Sequence, residues 1–279
     1  MSNLPRRTFL KTSLAATATA ALASRSLAAS PDLHASSPRD YYEVRCYHCK
    51  DATQSALLDR YLEHAFLPAL AARRYQNTGV FTELTVDKVA GTASPRADSP
   101  TWVLITHPTL ESFVQVSAAI NTDDAVLAAG ADYLRTPKTT PAFERIDSWL
   151  LLAFKGMPRL ELPNFSRDRV PTRVFEMRDY ESHSELAALN KMAMFDDGEI
   201  DLMKDIGMNP VFFGQAIAGP NLPHLRYFTG AADLSTHLAN WKKFGPDPRW
   251  ITMRDDPRYA NNMTKNTPRF LTPKSYSQI

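Results

Sequence analysis

Three observations predict an α+β fold built from two successive ferredoxin-like units. Tyr42-Glu43-Val44-Arg45-Cys46-Tyr47 is echoed by Phe175-Glu176-Met177-Arg178-Asp179-Tyr180, an offset of 133 from residue 42 to residue 175. Each copy is an aromatic–Glu–aliphatic–Arg–x–Tyr strand pattern, and a duplicated opening strand marks an internal repeat. The segments after each copy read β-α-β-β-α-β, the order of an antiparallel sheet with its helices on one face. Between the copies, residues 156–171 hold Pro158, Pro163 and Pro171 with little periodicity, which suits a linker.

The first unit, residues 40–155, opens on the strand Tyr42–Tyr47. A helix is expected over 55–73, with Leu58, Leu62, Phe66 and Leu70 at four-residue spacing. Pro68 falls inside it and removes one backbone bond, so a kink is expected near His64. Residues 80–86 read as a strand, 91–100 as a polar turn region and 101–106 as a second strand. Residues 110–119 and 123–133 read as two helical pieces, and 146–154 as the closing strand. The second unit, residues 172–279, repeats this order. Its strand 174–180 leads to a helix with Ser182 and Glu185 at capping-box spacing. Asp197-Gly198 interrupts that helix, and 199–206 resumes it. Strands over 211–218 and 225–229, a helix over 233–244 and a short strand around 270–272 complete the unit.

The N-terminus is an address. Arg6-Arg7-Thr8-Phe9-Leu10-Lys11 has the form of a twin-arginine export signal, followed by an Ala/Thr-rich segment over 12–23. Ser26-Leu27-Ala28 offers small residues for cleavage after Ala28, leaving 29–39 as a flexible leader. Pro5 stands where a Ser or Thr usually precedes the arginine pair. The apolar stretch is too short for a membrane span, so a periplasmic or otherwise exported bacterial protein is expected. Removing Arg6, Arg7, Lys11 and Arg25 moves the formal charge from +2 to −2. That near-neutral balance argues against nucleic-acid binding, which needs a concentrated basic face.

The second unit carries Met194-Phe195, Gly198-Glu199-Ile200, Pro210-Val211-Phe212-Phe213-Gly214, Pro223-x-Leu225-x-Tyr227, Trp241-x-x-Phe244 and Asp247-Pro248-x-Trp250. It ends Pro273-x-x-Tyr276-Ser277-Gln278-Ile279. These elements resemble the NIPSNAP family over nearly all of 172–279. In the first unit the resemblance rests on the opening strand, His64-x-x-x-Pro68 and Gly79-Val80-Phe81. The resemblance implies a dimeric α/β-barrel, which two tandem units could form within one chain as a pseudo-dimer. It implies no catalytic set, and the barrel hosts oxygenases, haem enzymes and binding proteins alike.

Alternation puts Glu43, Arg45 and Tyr47 on one strand face, and likewise Glu176, Arg178 and Tyr180. The more apolar faces are expected against the helices, which turns the six polar residues inward between the sheets. There they either pair across the interior as structure, or form a pocket. In such a pocket Arg45 or Arg178 would clamp an anionic or carbonyl-bearing ligand, and Tyr47 and Tyr180 would donate hydrogen bonds. The leading reading is a ligand-binding or interaction role for a small molecule, with no cofactor and no metal; a homo-oligomer stays open. The alternative is a cofactor-free barrel enzyme of oxygenase or isomerase type.

The remaining motifs bind little. Cys46-Tyr47-His48-Cys49 lacks the His that a c-type haem site needs after Cys49, and its strand context does not suit a redox pair. A local disulfide or two inert thiols remain. No His-x-x-x-His occurs. The Gly-x-x-Asp-Gly of dye-decolorising peroxidases is absent, since Met194 stands three residues before Asp197. Trp241, Phe244 and Trp250 read as core.

Overall fold

Alternating side chains open each half of the structure, a computed structural model that describes residues 38–279. The twin-arginine segment, its cleavage point and the leader up to residue 37 lie outside the described residues. The first half runs β1 (Tyr41–His48), α1 (Ala52–Tyr61), a π-turn (Leu62–Phe66), α2 (Leu67–Ala72), β2 (Gly79–Asp87), β3 (Thr92–Pro95) and β4 (Thr101–His107). It continues with α3 (Leu110–Asn121), α4 (Asp124–Ala129), α5 (Ala131–Leu134) and β5 (Arg145–Ala153). A connecting helix α6 (Asn164–Arg167) precedes β6 (Val174–Glu181), α7 (Glu185–Met194), a second π-turn (Phe195–Glu199), α8 (Ile200–Asp205) and β7 (Pro210–Ala218). Then come β8 (His224–Ala231), α9 (Leu234–Phe244), α10 (Pro248–Arg254), a 3-10 turn and β9 (Lys265–Pro273).

The offset of 133 holds well beyond the opening strand. β1 and β6, α1 and α7, the two π-turns, and α2 and α8 all start 133 residues apart. The kink expected near His64 is the first π-turn. Pro68 has no N–H to give, and the ladder takes a five-residue step in which Leu67 N–H bonds the Leu62 carbonyl. In the second copy Ile200 N–H bonds the Phe195 carbonyl, and Gly198 absorbs the turn at φ 146°. The cap of α7 is Ser184, which accepts from Ala187 N–H. The Ser182 hydroxyl, expected as the cap, donates instead to the Asn262 carbonyl.

The strands form one antiparallel sheet in the order β3-β2-β4-β1-β5-β7-β8-β6-β9. A further pairing of β2 with β9 closes eight of the nine into a barrel. The exposed hairpin strand β3 replaces the polar turn expected over 91–100, because β2 runs on past the barrel rim and needs a partner there. β9 is longer than its apolar core of Phe270 and Leu271 suggested, since it pairs with β6 from Lys265 to Leu271 and with β2 from Phe270 to Pro273. Barrel closure excludes water from the interior, which is packed with Tyr42, Val44, Phe81, Trp102, Trp149, Phe175, Met177, Phe212 and Phe228. Ile279 is fully buried in this cluster. Its carbonyl accepts from Arg173 Nη2, and the neighbouring Ser277 hydroxyl accepts from Val80 N–H. The helices cover the outer face over two further apolar clusters, one per half.

Candidate functional site

The six polar residues of the repeated strand face the helices, opposite to the expectation. Tyr42, Val44, Cys46, Phe175 and Met177 fill the barrel, whereas Tyr47 and Tyr180 pack in the two helix-side clusters. The bulky apolar side chains of the other strand face take the barrel interior, whereas the helix side gives the Glu–Arg pairs histidine and tryptophan partners and an outlet to water. Arg45 and Arg178 keep 14% and 12% of their side chains exposed there.

The two copies share one arrangement. Glu43 accepts from Arg45 Nε at 2.5 Å and lies 3.2 Å from His107 Nε2, while Arg45 Nη1 reaches the Tyr47 hydroxyl at 3.3 Å. Glu176 accepts from Arg178 Nε at 3.0 Å and lies 2.7 Å from His237 Nε2; Arg178 Nη1 reaches the Tyr180 hydroxyl at 3.4 Å. Trp241 Nε1 adds a 2.6 Å donation to Glu176, and its ring carries the Arg178 guanidinium at 3.8 Å. Burial alone would raise the Glu176 carboxyl, but His237 and Arg178 overcome it and hold it at about 2. Glu43 is lowered in the same way, against burial, by His107 and Arg45.

The second copy goes further. The Tyr180 and Tyr227 hydroxyls meet at 3.0 Å. Lys191 Nζ lies 3.0 Å from Glu199 Oε2, both side chains almost wholly buried, among the rings of Tyr180, Phe195 and Trp250. Burial raises the Glu199 carboxyl despite the Lys191 charge. At the same repeat positions the first half has Leu58 and Phe66, both buried and apolar. Reading along the chain missed this pair and both histidines. The repeat itself carried the signal: superposing the copies at 133 sets two charges against two apolar residues.

A second polar group, also unforeseen, lies inside the barrel. Arg226, fully buried, grips Asp179 through Nε at 2.5 Å and Nη2 at 2.9 Å, and its guanidinium lies 4.1 Å from the Trp149 ring. Arg269 Nη1 donates to the same carboxylate at 2.8 Å. Burial opposes ionisation of Asp179, yet the two arginines hold it at about 2. Cys46 and Cys49 are free thiols, and burial, with Asp147 and Glu83 nearby, pushes Cys46 up to about 12. Such a thiol is inert. Among the described residues no cluster of His, Cys, Asp and Glu could hold a metal ion. Trp241 and Trp250 pack on Phe244 as expected. Surface hollows of about 440 and 460 Å³ open beside Asp197 and Tyr259 and beside Asp40 and Arg74, and none of the six strand residues lines them.

Residues 175–278 match the NIPSNAP family, and residues 3–23 match the twin-arginine translocation signal, so the chain carries a NIPSNAP domain and an export address. No curated protein matches it. Among solved structures, a Lactobacillus acidophilus protein named as a candidate monooxygenase is 8% identical with a TM-score of 0.51. The alignment covers 84% of this chain and 94% of that one, a likeness of fold. A NIPSNAP family protein from Agrobacterium tumefaciens is 20% identical, covering 38% of this chain and 96% of that one at a TM-score of 0.34. A NIPSNAP-like domain protein from Burkholderia xenovorans is 17% identical, covering 38% and 90% at 0.35. These matches point to no specific activity. Among the described residues no helix is long and apolar enough to cross a membrane.

Proposed function

We propose, taking the NIPSNAP domain of residues 175–278 as the premise, that this exported chain is a binding protein. Its C-terminal half would take a small anionic or carbonyl-bearing ligand on the helix side of the sheet, with Arg178 as anchor and Tyr180 as second donor. One observation carries the reading: ionic Lys191 and Glu199 occupy positions where the repeat has Leu58 and Phe66. A buried ion pair that apolar residues can replace in the same fold is weak evidence for stability, so its retention favours a role in recognition. In this reading Glu43, Arg45 and Tyr47 are the scaffold copy, and Glu176 orients Arg178. The halves 40–155 and 172–279 would be two ferredoxin-like units joined by 156–171 as a pseudo-dimer. The strand orders β2-β4-β1-β5 and β7-β8-β6-β9 support that division.

Native mass spectrometry of protein exported in its own host tests the reading. Wild type and Arg45→Met should retain a small molecule that Arg178→Met lacks. Bare wild type, or equal retention in Arg178→Met, overturns it. The raised carboxyl of Glu199 favours a second reading, a cofactor-free oxygenase or isomerase in which Glu199 holds the transferred proton. Under that reading a retained ligand would be turned over, and Glu199→Gln would abolish turnover while leaving the ligand bound.

A further inference from the structure

The outer end of α7 carries leucines that the fold does not need. Leu186 is 77% exposed and Leu189 50% exposed, one helical turn apart. At the same repeat positions on α1 stand Thr53 and Ala56, equally turned to solvent. Across from Leu189, the end of β7 and the β7–β8 turn present Ile217 and Leu222, 41% and 49% exposed. Between helix and turn lies a hollow of about 350 Å³, with Ala188 and Met192 among its walls and His224 also lining it.

We propose that this hollow is a binding site for a small neutral amphiphile, an alkyl or aryl group carrying a hydroxyl. Three properties select that class. The volume lies at the lower end of the range for small-molecule sites and is too small for a docked peptide helix. The walls are largely apolar, so the body of the ligand must be too. The polar groups on the rim are Glu185 and Gln215, whose side chains bond no described residue and can meet a hydroxyl head. The Glu185 carboxylate repels an anionic head. His224 adds no compensating charge, because burial and then Arg226 hold its imidazole below the usual histidine range. Its Nδ1 lies 3.1 Å from the Asn221 carbonyl, which fixes the ring where it stands.

The site is separate from Arg178, and one experiment keeps the two apart. Titrate the protein with 1-octanol and with octanoate by isothermal titration calorimetry. Octanol should bind saturably, and octanoate at least about tenfold more weakly. Leu186→Thr, at a leucine outside the lining, should bind octanol as wild type does. Leu189→Ala installs the first copy's residue in a wall of the hollow, which that copy shows to be compatible with a helix here. It should lose about tenfold in octanol affinity with an unchanged melting temperature, and Ala188→Met, which fills the hollow, should lose more. Arg178→Met should bind octanol as wild type does. No saturable octanol binding, equal binding of octanoate, or wild-type affinity in Leu189→Ala would overturn the proposal.

Discussion

Glu176 and Asp179 lie three residues apart on β6 and face opposite sides of the sheet, yet both carboxyls are held at about 2. Each therefore binds protons more weakly in the folded than in the unfolded chain. Their contribution to stability is complete above the ordinary carboxylate range and is lost as pH falls through that range toward 2. Urea midpoints at pH 5, 3.5 and 2 should drop steeply, and Asp179→Asn should flatten that slope while lowering the whole curve. Arg226→Met removes the two-bond partner of Asp179 and leaves Arg269 as its remaining arginine, and should cost up to about 3–5 kcal/mol by urea unfolding. Arg96→Met, at an arginine 44% exposed, should cost at most about 1 kcal/mol. The sequence pointed to Glu43, Arg45, Tyr47 and their echoes, but to the wrong side of the sheet. Alternation divides a strand into two faces without saying which is inside. Here the inner face won by aromatic bulk, and the outer face found His107, His237 and Trp241 on elements far along the chain, which no strand-local pattern reveals.

Each half bends its first helix at a π-turn, but by different means: Pro68 in the first copy and Gly198 in the second. Gly198→Ala forces a side chain to φ 146° and should cost about 1–3 kcal/mol by thermal or urea unfolding. Gly91→Ala, at φ 67° in open space, should cost less. The Pro68 kink was legible because proline announces a missing donor. The strand β3 was not, because Thr92-Ala93-Ser94-Pro95 is polar and short, and only the overhang of β2 recruits it. The ends of β9 were hidden for a similar reason. Lys265, Asn266 and Pro268 contradict strand propensity, and pairing to β6 overrides it.

At the scale of the molecule, the β5–β7 and β2–β9 seams tie the halves together, and Phe175, Phe212 and Phe228 are buried only once both seams form. The fragment 172–279 alone should therefore sediment as a dimer or fail to fold, whereas residues 38–279 should unfold in one transition by fluorescence and by far-UV circular dichroism. Ile279→Ala opens a cavity where Gly79 and Phe81 pack, and should cost about 2–5 kcal/mol. The β2–β9 seam also sets a schedule. At about 5–20 residues per second, some ten to forty seconds of synthesis separate the emergence of β2 from that of its last partner. Throughout that interval the newborn half-cylinder shows two raw edges and a greasy lining to the cytosol, an invitation to stick to its neighbours. The ribosome's output must be kept solitary until the final strand arrives, and only then is there a finished vessel for the export machinery to carry.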